Sequence, residues 1–417
     1  MALCESEALI MIDFSIVIPC LNESESLQHC LANAGDAVRM MRERLGLEGE
    51  IIVADNGSTD GSQEIAKLHG ARLVEVSHRG YGAALIGGFE AALGRYLVMG
   101  DADASYDFRD AVAMVGRLAD GADLCMGSRF KGGIANGAMP WKNRYIGNPV
   151  LTGILNLFYK TRISDAHCGL RALTRRSFKQ LRLDGNGMEF ASEMVIKAAL
   201  LGLRIDEVPA TLSPDLRNRP PHLRPWRDGW RHLCLLLMLS PLWLFAAPAM
   251  ALVGAGVLLL IAPWVAPLVS LDPVMFGSYW TILGGALITL GHQGLMMALA
   301  AELCGLRAGY RRPSWWIEAV APSLSLDRML LSGLASSAVG LAVLVGVLLY
   351  WTLHDGHPLA HVLPAVAGTS LLCVGAQTIL SGFLLAVLGG NSRRILLDGE
   401  RKIATSNDRP SHVGKAA

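Results

Sequence analysis

The chain has 417 residues, 52% of them hydrophobic and only 18% charged, with a formal net charge of +1. That balance excludes a disordered polymer, offers no electrostatic reason to bind nucleic acid, and points to partial embedding in a membrane. Eight cysteines stand singly with no CxxC pair, which excludes a zinc ribbon or disulfide scaffold and fits a reducing compartment.

The opening stretch MALCESEALIMIDF carries two glutamates and no basic region, and it runs straight into a strand pattern. The first half is therefore expected to stay in the cytosol. From there short apolar runs alternate with helical patterns. FSIVIP (14–19), EIIVAD (50–55), RLVEV (72–76), RYLVMG (95–100) and DLCMGS (123–128) read as buried strands. Such alternation predicts an α/β domain with a mostly parallel sheet, whose ligands bind beyond the carboxyl ends of the strands.

The loops at those ends carry the polar residues. In IPCLNESESL, Pro19 ends a strand and Asn22 or Ser24 is placed to cap the next helix, with Glu23 near its positive end. In VADNGSTDGS, capping accounts for Ser58 and Asp60 but leaves Asp55 unexplained at the strand tip. RGYGAA opens a helix with Gly80 and Gly82, a pattern that often approaches phosphate. MGDADASYDF puts Asp101 and Asp103 two residues apart on a turn, where both can face one Mg²⁺ or Mn²⁺. Asp107 has a helix N-cap as its simplest role. Glu189 and Glu193 fall on a helical pattern and read as structural or site-lining.

The second half changes character. Residues 233–262, 277–301, 329–351 and 362–389 are each long and apolar enough to cross a bilayer. Arginines cluster before the first span, in the connection between the second and third spans, and after the fourth, so both termini are expected on the cytoplasmic side. Pro241, Pro248 and Pro263 are placed to break the first span into a surface-lying and a crossing piece. The spans hold few ionisable residues, with His292 inside one and Glu302 near a helix end, fewer than a transport pathway usually needs. The segment SPDLRNRPPHLRPWRDGWRH (213–232) is basic and aromatic, as an interfacial anchor should be. Its Arg217, Arg219 or Arg224 is also placed to meet a lipid phosphate.

Taken together, IVIPCLNES, VADNGSTDGS, RGYGAA, MGDADASYDF and MGSRF resemble family 2 glycosyltransferases of the GT-A fold. ISDAHCGLRAL and GMEFASEMVIKAALLGLRIDEVP resemble, more narrowly, the dolichyl-phosphate mannose synthase and polyprenyl-phosphate glycosyltransferase branch. The resemblance covers roughly residues 14–232. It implies a GT-A domain over 1–212, a juxtamembrane segment 213–232, an all-α transmembrane region 233–390 and a tail 391–417. It implies a metal-dependent hexosyltransferase of the bacterial inner or plasma membrane that moves a sugar from a nucleotide sugar to polyprenyl phosphate. Pro19, Glu23 and Asp55 would line the base and ribose pocket, Asp101 and Asp103 would hold metal and diphosphate, and Arg129 and Arg171 would contact phosphates. Ser105, where mannose synthases commonly carry glutamine, takes the place of the third metal ligand. That departure favours a UDP-sugar such as UDP-glucose, with GDP-mannose as the alternative. A processive polysaccharide synthase is a weaker reading, because the chain lacks a QxxRW block. So is a flippase regulated by a GT-A module. Four spans are compatible with a homo-oligomer, and nothing requires one.

Overall fold

The computed structural model describes residues 11–216, 225–265, 277–355, 357, 359 and 361–390. They form two compact units that divide between Leu239 and Ser240.

The first unit is built on a seven-stranded sheet in the order β3-β2-β1-β4-β6-β5-β7. The strands are β1 Phe14–Cys20, β2 Gly49–Asp55, β3 Arg72–Glu75, β4 Tyr96–Met99, β5 Leu124–Ser128, β6 Arg171–Thr174 and β7 Ile205–Pro209. The first five are those expected from their apolar runs. Such runs arise because helices cover both faces: Ile16 and Ile18 enter one core and Val17 the other.

Two strands escape the apolar-run criterion for physical reasons. β6 is four residues long, begins with a buried arginine, and runs antiparallel between β4 and β5. β7 is an edge strand, so it tolerates Asp206, Glu207 and a terminal Pro209. The chain winds from β1 to β2 and β3 on one side, and continues through β4 on the other. The β1–β4 junction is therefore a topological switch point, where the loops splay apart and leave a crevice.

The domain boundary expected after residue 212 moves. Helix Pro225–Met238 belongs to the first unit: Leu236 is buried in its core and His232 Nδ1 lies 2.8 Å from Ser192 Oγ. Tyr159 also donates to the Leu236 carbonyl at 2.6 Å.

Among its described residues the second unit contains four helices long and apolar enough to cross a membrane: Leu242–Val265, Ser278–Ala308, Leu326–Leu353 and Leu363–Leu388. The first starts later than its hydropathy suggests, because the Ser240–Pro241 break detaches the preceding amphipathic helix. Lipid provides no hydrophobic drive between such helices, so close packing has to hold them. Glycines provide it. A Cβ at Gly256 would lie 2.6 Å from the Gly284 carbonyl, and one at Gly340 would lie 2.7 Å from that of Gly368. His292 bridges the second and fourth spans, 2.9 Å from Gln377 Oε1 and 3.2 Å from Thr378 Oγ1. Glu302 is buried with Arg311, 2.6 Å away. Both ionisable groups thus hold helices and connections in place.

Candidate active site

The site sits at the carboxyl ends of β1, β2 and β4, and its walls are braced by side chains from one loop gripping the backbone of another. Asn22, at φ +57°, accepts the Thr59 amide at 2.8 Å, while Ser58 Oγ accepts the Asn22 amide at 2.9 Å. Asp60 caps two helices, taking the Ser24 amide at 2.9 Å and the Ser62 amide at 3.1 Å. These bonds, with burial opposing them, hold its carboxyl at about 2.

Asp55 is 1% exposed and accepts from the amides of Gly57 and Ser58 and from Gln63 Nε2, the last at 2.7 Å. Its carboxylate therefore shapes the loop. Glu23 is 7% exposed, and its amide is fixed by Ser62 Oγ at 3.0 Å. Pro19 is paired in the sheet with Ala54. The structure brings Pro19, Glu23 and Asp55 to one sheet edge.

Asn56 explains a residue that the motif alone could not. Its amide nitrogen donates to the carbonyls of Val76 at 3.0 Å and His78 at 2.6 Å, and its oxygen accepts the Gly80 amide at 2.6 Å. A carboxylate has no proton to give those carbonyls. Gly80 and Gly82 also differ from expectation. A Cβ on either would strike the Asn186 or Gly185 carbonyl at about 2 Å, and the Gly82 amide bonds Asn186. These glycines admit a neighbouring loop at close range.

The Asp101–Asp103 turn is held from several sides. Tyr81 donates to Asp101 Oδ1 at 2.8 Å. Burial and this carboxylate raise the phenol well above its ordinary pKa, so it stays a donor. Ser26 Oγ grips the Ala102 carbonyl at 2.7 Å, and Cys30 Sγ meets the amide of Ala104, which has φ +63°. Ser105 donates to Asp103 Oδ1 at 2.6 Å. Its hydroxyl proton thus supports Asp103, and Ser105 stands beside the acidic pair as the resemblance implies. Asp107 caps the next turn through the Arg109 amide at 2.9 Å, as anticipated.

The two arginines expected to contact phosphates are otherwise engaged. Arg129 makes a two-pronged pair with buried Asp165, at 2.7 and 2.8 Å. Burial pushes the Asp165 carboxyl up, but Arg129 outweighs it and holds the group below the usual range. Arg171 is fully buried, with its guanidinium donating to the carbonyls of Cys168, Ala166 and Ala191. Burial lowers its pKa, and three acceptors leave it little to offer a ligand.

Arg171 instead shapes the 165–170 loop that backs the acidic turn. Gly169 presses there so closely that a Cβ would lie 2.6 Å from Asp101 Oδ2, and its amide donates to Tyr106 Oη at 2.8 Å. The chain returns over the same turn, where the Leu216 amide bonds the Asp103 carbonyl at 3.1 Å. Tyr81, Ser26, Tyr106 and Asp165 were thus missed by motif reading; only the position of Tyr81 between two glycines hinted at a fixed role.

Comparison with known proteins identifies the family. Glycosyl transferase family 2 matches residues 15–182, and the Glycosyltransferase family 2 C-terminal transmembrane region matches residues 299–389. The low-salt glycan biosynthesis hexosyltransferase Agl6 of Haloferax volcanii is 36% identical over 90% of this chain and 89% of its own. Glycosyltransferase AglJ of the same organism is 30% identical over 69% of this chain and 92% of its own. The dolichol-phosphate mannosyltransferase of Pyrococcus furiosus is 26% identical over 47% of this chain and 55% of its own. With this sheet and, among the described residues, four apolar helices after it, the chain belongs to glycosyltransferase family 2 as a membrane enzyme.

Proposed function

We propose that this enzyme transfers a hexose from a nucleotide sugar, with UDP-glucose as the favoured donor, to polyprenyl phosphate with inversion at the anomeric carbon. One observation carries the choice of a lipid acceptor. The catalytic unit itself exposes a run of large apolar side chains over residues 141–157: Trp141 at 62%, Tyr145 at 68%, Ile146, Val150 and Leu157. Lys142 and Arg144 alternate with the aromatics. A soluble acceptor gives no reason to keep such a face in water; an isoprenoid tail entering from a bilayer does. Resemblance to the dolichol-phosphate mannosyltransferase supports the same class and makes GDP-mannose the alternative donor.

Asp101 and Asp103 fit a divalent cation shared with the donor. They are hard oxygen ligands two residues apart, and no group of three acidic, histidine or cysteine side chains suited to a metal occurs among the described residues. Mg²⁺ or Mn²⁺ bound this way takes its other ligands from phosphate oxygens and water. When bound, the cation stabilises charge on the departing diphosphate. Tyr81 and Ser105 orient the carboxylates that would receive it.

A phosphate acceptor also removes the need for a base. Its second pKa is near ~6, so at neutral pH an oxygen attacks the anomeric carbon with no proton to lose. Glu193 and His167, two groups that could otherwise serve as a base, fit this picture. Glu193 accepts the Gly185 amide at 2.8 Å and pairs with Lys197 at 2.6 Å. Burial, with His232 and Arg171 beside it, lowers His167 to about 3, so its imidazole is uncharged at neutral pH and a poor acceptor of a second proton. Phosphate binding passes from Arg129 and Arg171 to the basic segment that begins at Arg217. Arg217, Arg219 and Arg224 lie outside the described residues, but Leu216, next in the chain, is bonded to the acidic turn.

The direct test incubates the purified enzyme with polyprenyl phosphate, Mg²⁺ or Mn²⁺ and labelled nucleotide sugars, and follows label into the organic phase. Absence of lipid-linked product from every donor would overturn the proposal. Glu189→Gln separates acceptor classes: turnover within about threefold is expected, whereas loss of a general base costs about 10²–10⁴-fold.

A further inference from the structure

Away from the acidic turn, on the outer edge of the sheet, the catalytic unit has a groove of about 650 Å³ along β7. Five basic side chains line it: Arg117, Lys131, Lys160, Arg162 and Arg204. Its two carboxylates are already committed. Asp206 pairs with Arg204 at 3.1 Å, and Glu207 pairs with Lys131 while accepting Ser164 Oγ at 2.8 Å and the amides of Ser164 and Asp165 at 2.8 and 3.0 Å. Arg117, Lys160 and Arg162 have no ion-pair partner among the described residues.

Three unneutralised cations around one concavity repel one another, and the potential between them attracts an anion. The placement of Lys160 adds to this. It stands at φ +54°, at the end of helix Asn148–Tyr159, where the left-handed backbone favours glycine. Lysine there puts a cation on the groove lining. Arginine forks suit phosphate oxygens better than chloride.

We infer that this groove is a second anion site, separate from the donor site, which binds a phosphate group through Arg117, Lys160 and Arg162. The phosphate comes either from an anionic lipid headgroup or from a soluble phosphate compound, and the groove chemistry is the same for both. No part of this rests on the identity of donor or acceptor.

Hydrogen exchange on the full-length enzyme in nanodiscs tests it, with EDTA present so that the metal-dependent donor site stays unloaded. Amides over 159–164 and 204–207 are followed in phosphatidylcholine discs, in the same discs with inorganic phosphate, and in phosphatidylglycerol discs, at matched ionic strength. Binding at ten times Kd is expected to slow local exchange about tenfold. Protection by phosphate alone identifies a soluble ligand, and protection by phosphatidylglycerol alone identifies a lipid headgroup; either supports the site. The double variant Arg117→Ala/Arg162→Ala, at exposed positions, should lose the protection, while Arg117→Lys/Arg162→Lys keeps most of it. No protection in either arm, or protection that survives the alanine variant, overturns the inference.

Discussion

The strand-end loops of β1 and β2 and the acidic turn after β4 use the same residue types for different ends. In the first region, Asp55 and Asp60 accept mainly main-chain amides, bonds that close tight turns and fix the backbone. In the second, Asp101 is met by the Tyr81 hydroxyl, Asp103 takes both the amide and the hydroxyl of Ser105, and the backbone is also fixed by Ser26 and Cys30. A hydroxyl can rotate and change partner when a ligand arrives, whereas an amide cannot without moving the chain. The contrast is sharpest between Asp55, tied by amides to its own turn, and Asp101, whose Tyr81 partner is a hydroxyl from elsewhere in the chain.

Substitutions can break this distinction. Asp103→Asn should lower labelled-product turnover about 10³-fold, the scale of lost electrostatic stabilisation, while the unfolding midpoint barely moves. If it unfolds the protein and leaves specific activity intact, Asp103 is a brace as well. Asp165→Asn leaves the Arg129 guanidinium buried without its counter-charge, and should cost about 3–5 kcal/mol in chemical denaturation. Because the folded Asp165 carboxyl sits below its ordinary value of about 3.9, its contribution is complete above that pH and fades as pH falls toward the folded value. The gap between wild type and Asp165→Asn should therefore narrow below about pH 4 in acid-unfolding curves.

Asp55→Ala should cost about 1–3 kcal/mol of stability by orphaning two amides, with a smaller effect on turnover at low temperature. A large loss of turnover at unchanged stability would instead place Asp55 on the ligand. Tyr81→Phe is the mildest. Losing one hydrogen bond to a charged group, about 1.5 kcal/mol, should weaken apparent metal affinity roughly tenfold and leave the midpoint in place. Titration of activity with Mn²⁺ reads it directly.

Much of this was legible from the amino acids, and the reasons are physical. β1, β2, β4 and β5 are buried on both faces, so they stand out as apolar runs, and the charges at their ends mark the site. Arg129 and Arg171 were legible as important but not as what they are. A guanidinium serves a phosphate, a carboxylate or three carbonyls equally well, and only the fold says which of these surrounds it. The role of Asn56 shows only in the fold, which brings three backbone groups of matching polarity around it. β6 stayed hidden because its register is set by β4 and β5, strands far from it in sequence.

The burial of Leu236 beneath the sheet has a practical corollary for anyone preparing the catalytic unit on its own. Cutting the gene after residue 212, where strand patterning ends, would strip away the Leu216 tie and uncover the apolar seat of helix Pro225–Met238. Ending the fragment at Leu239 keeps that seat filled and removes all four spans, so it is the better starting point for a soluble enzyme.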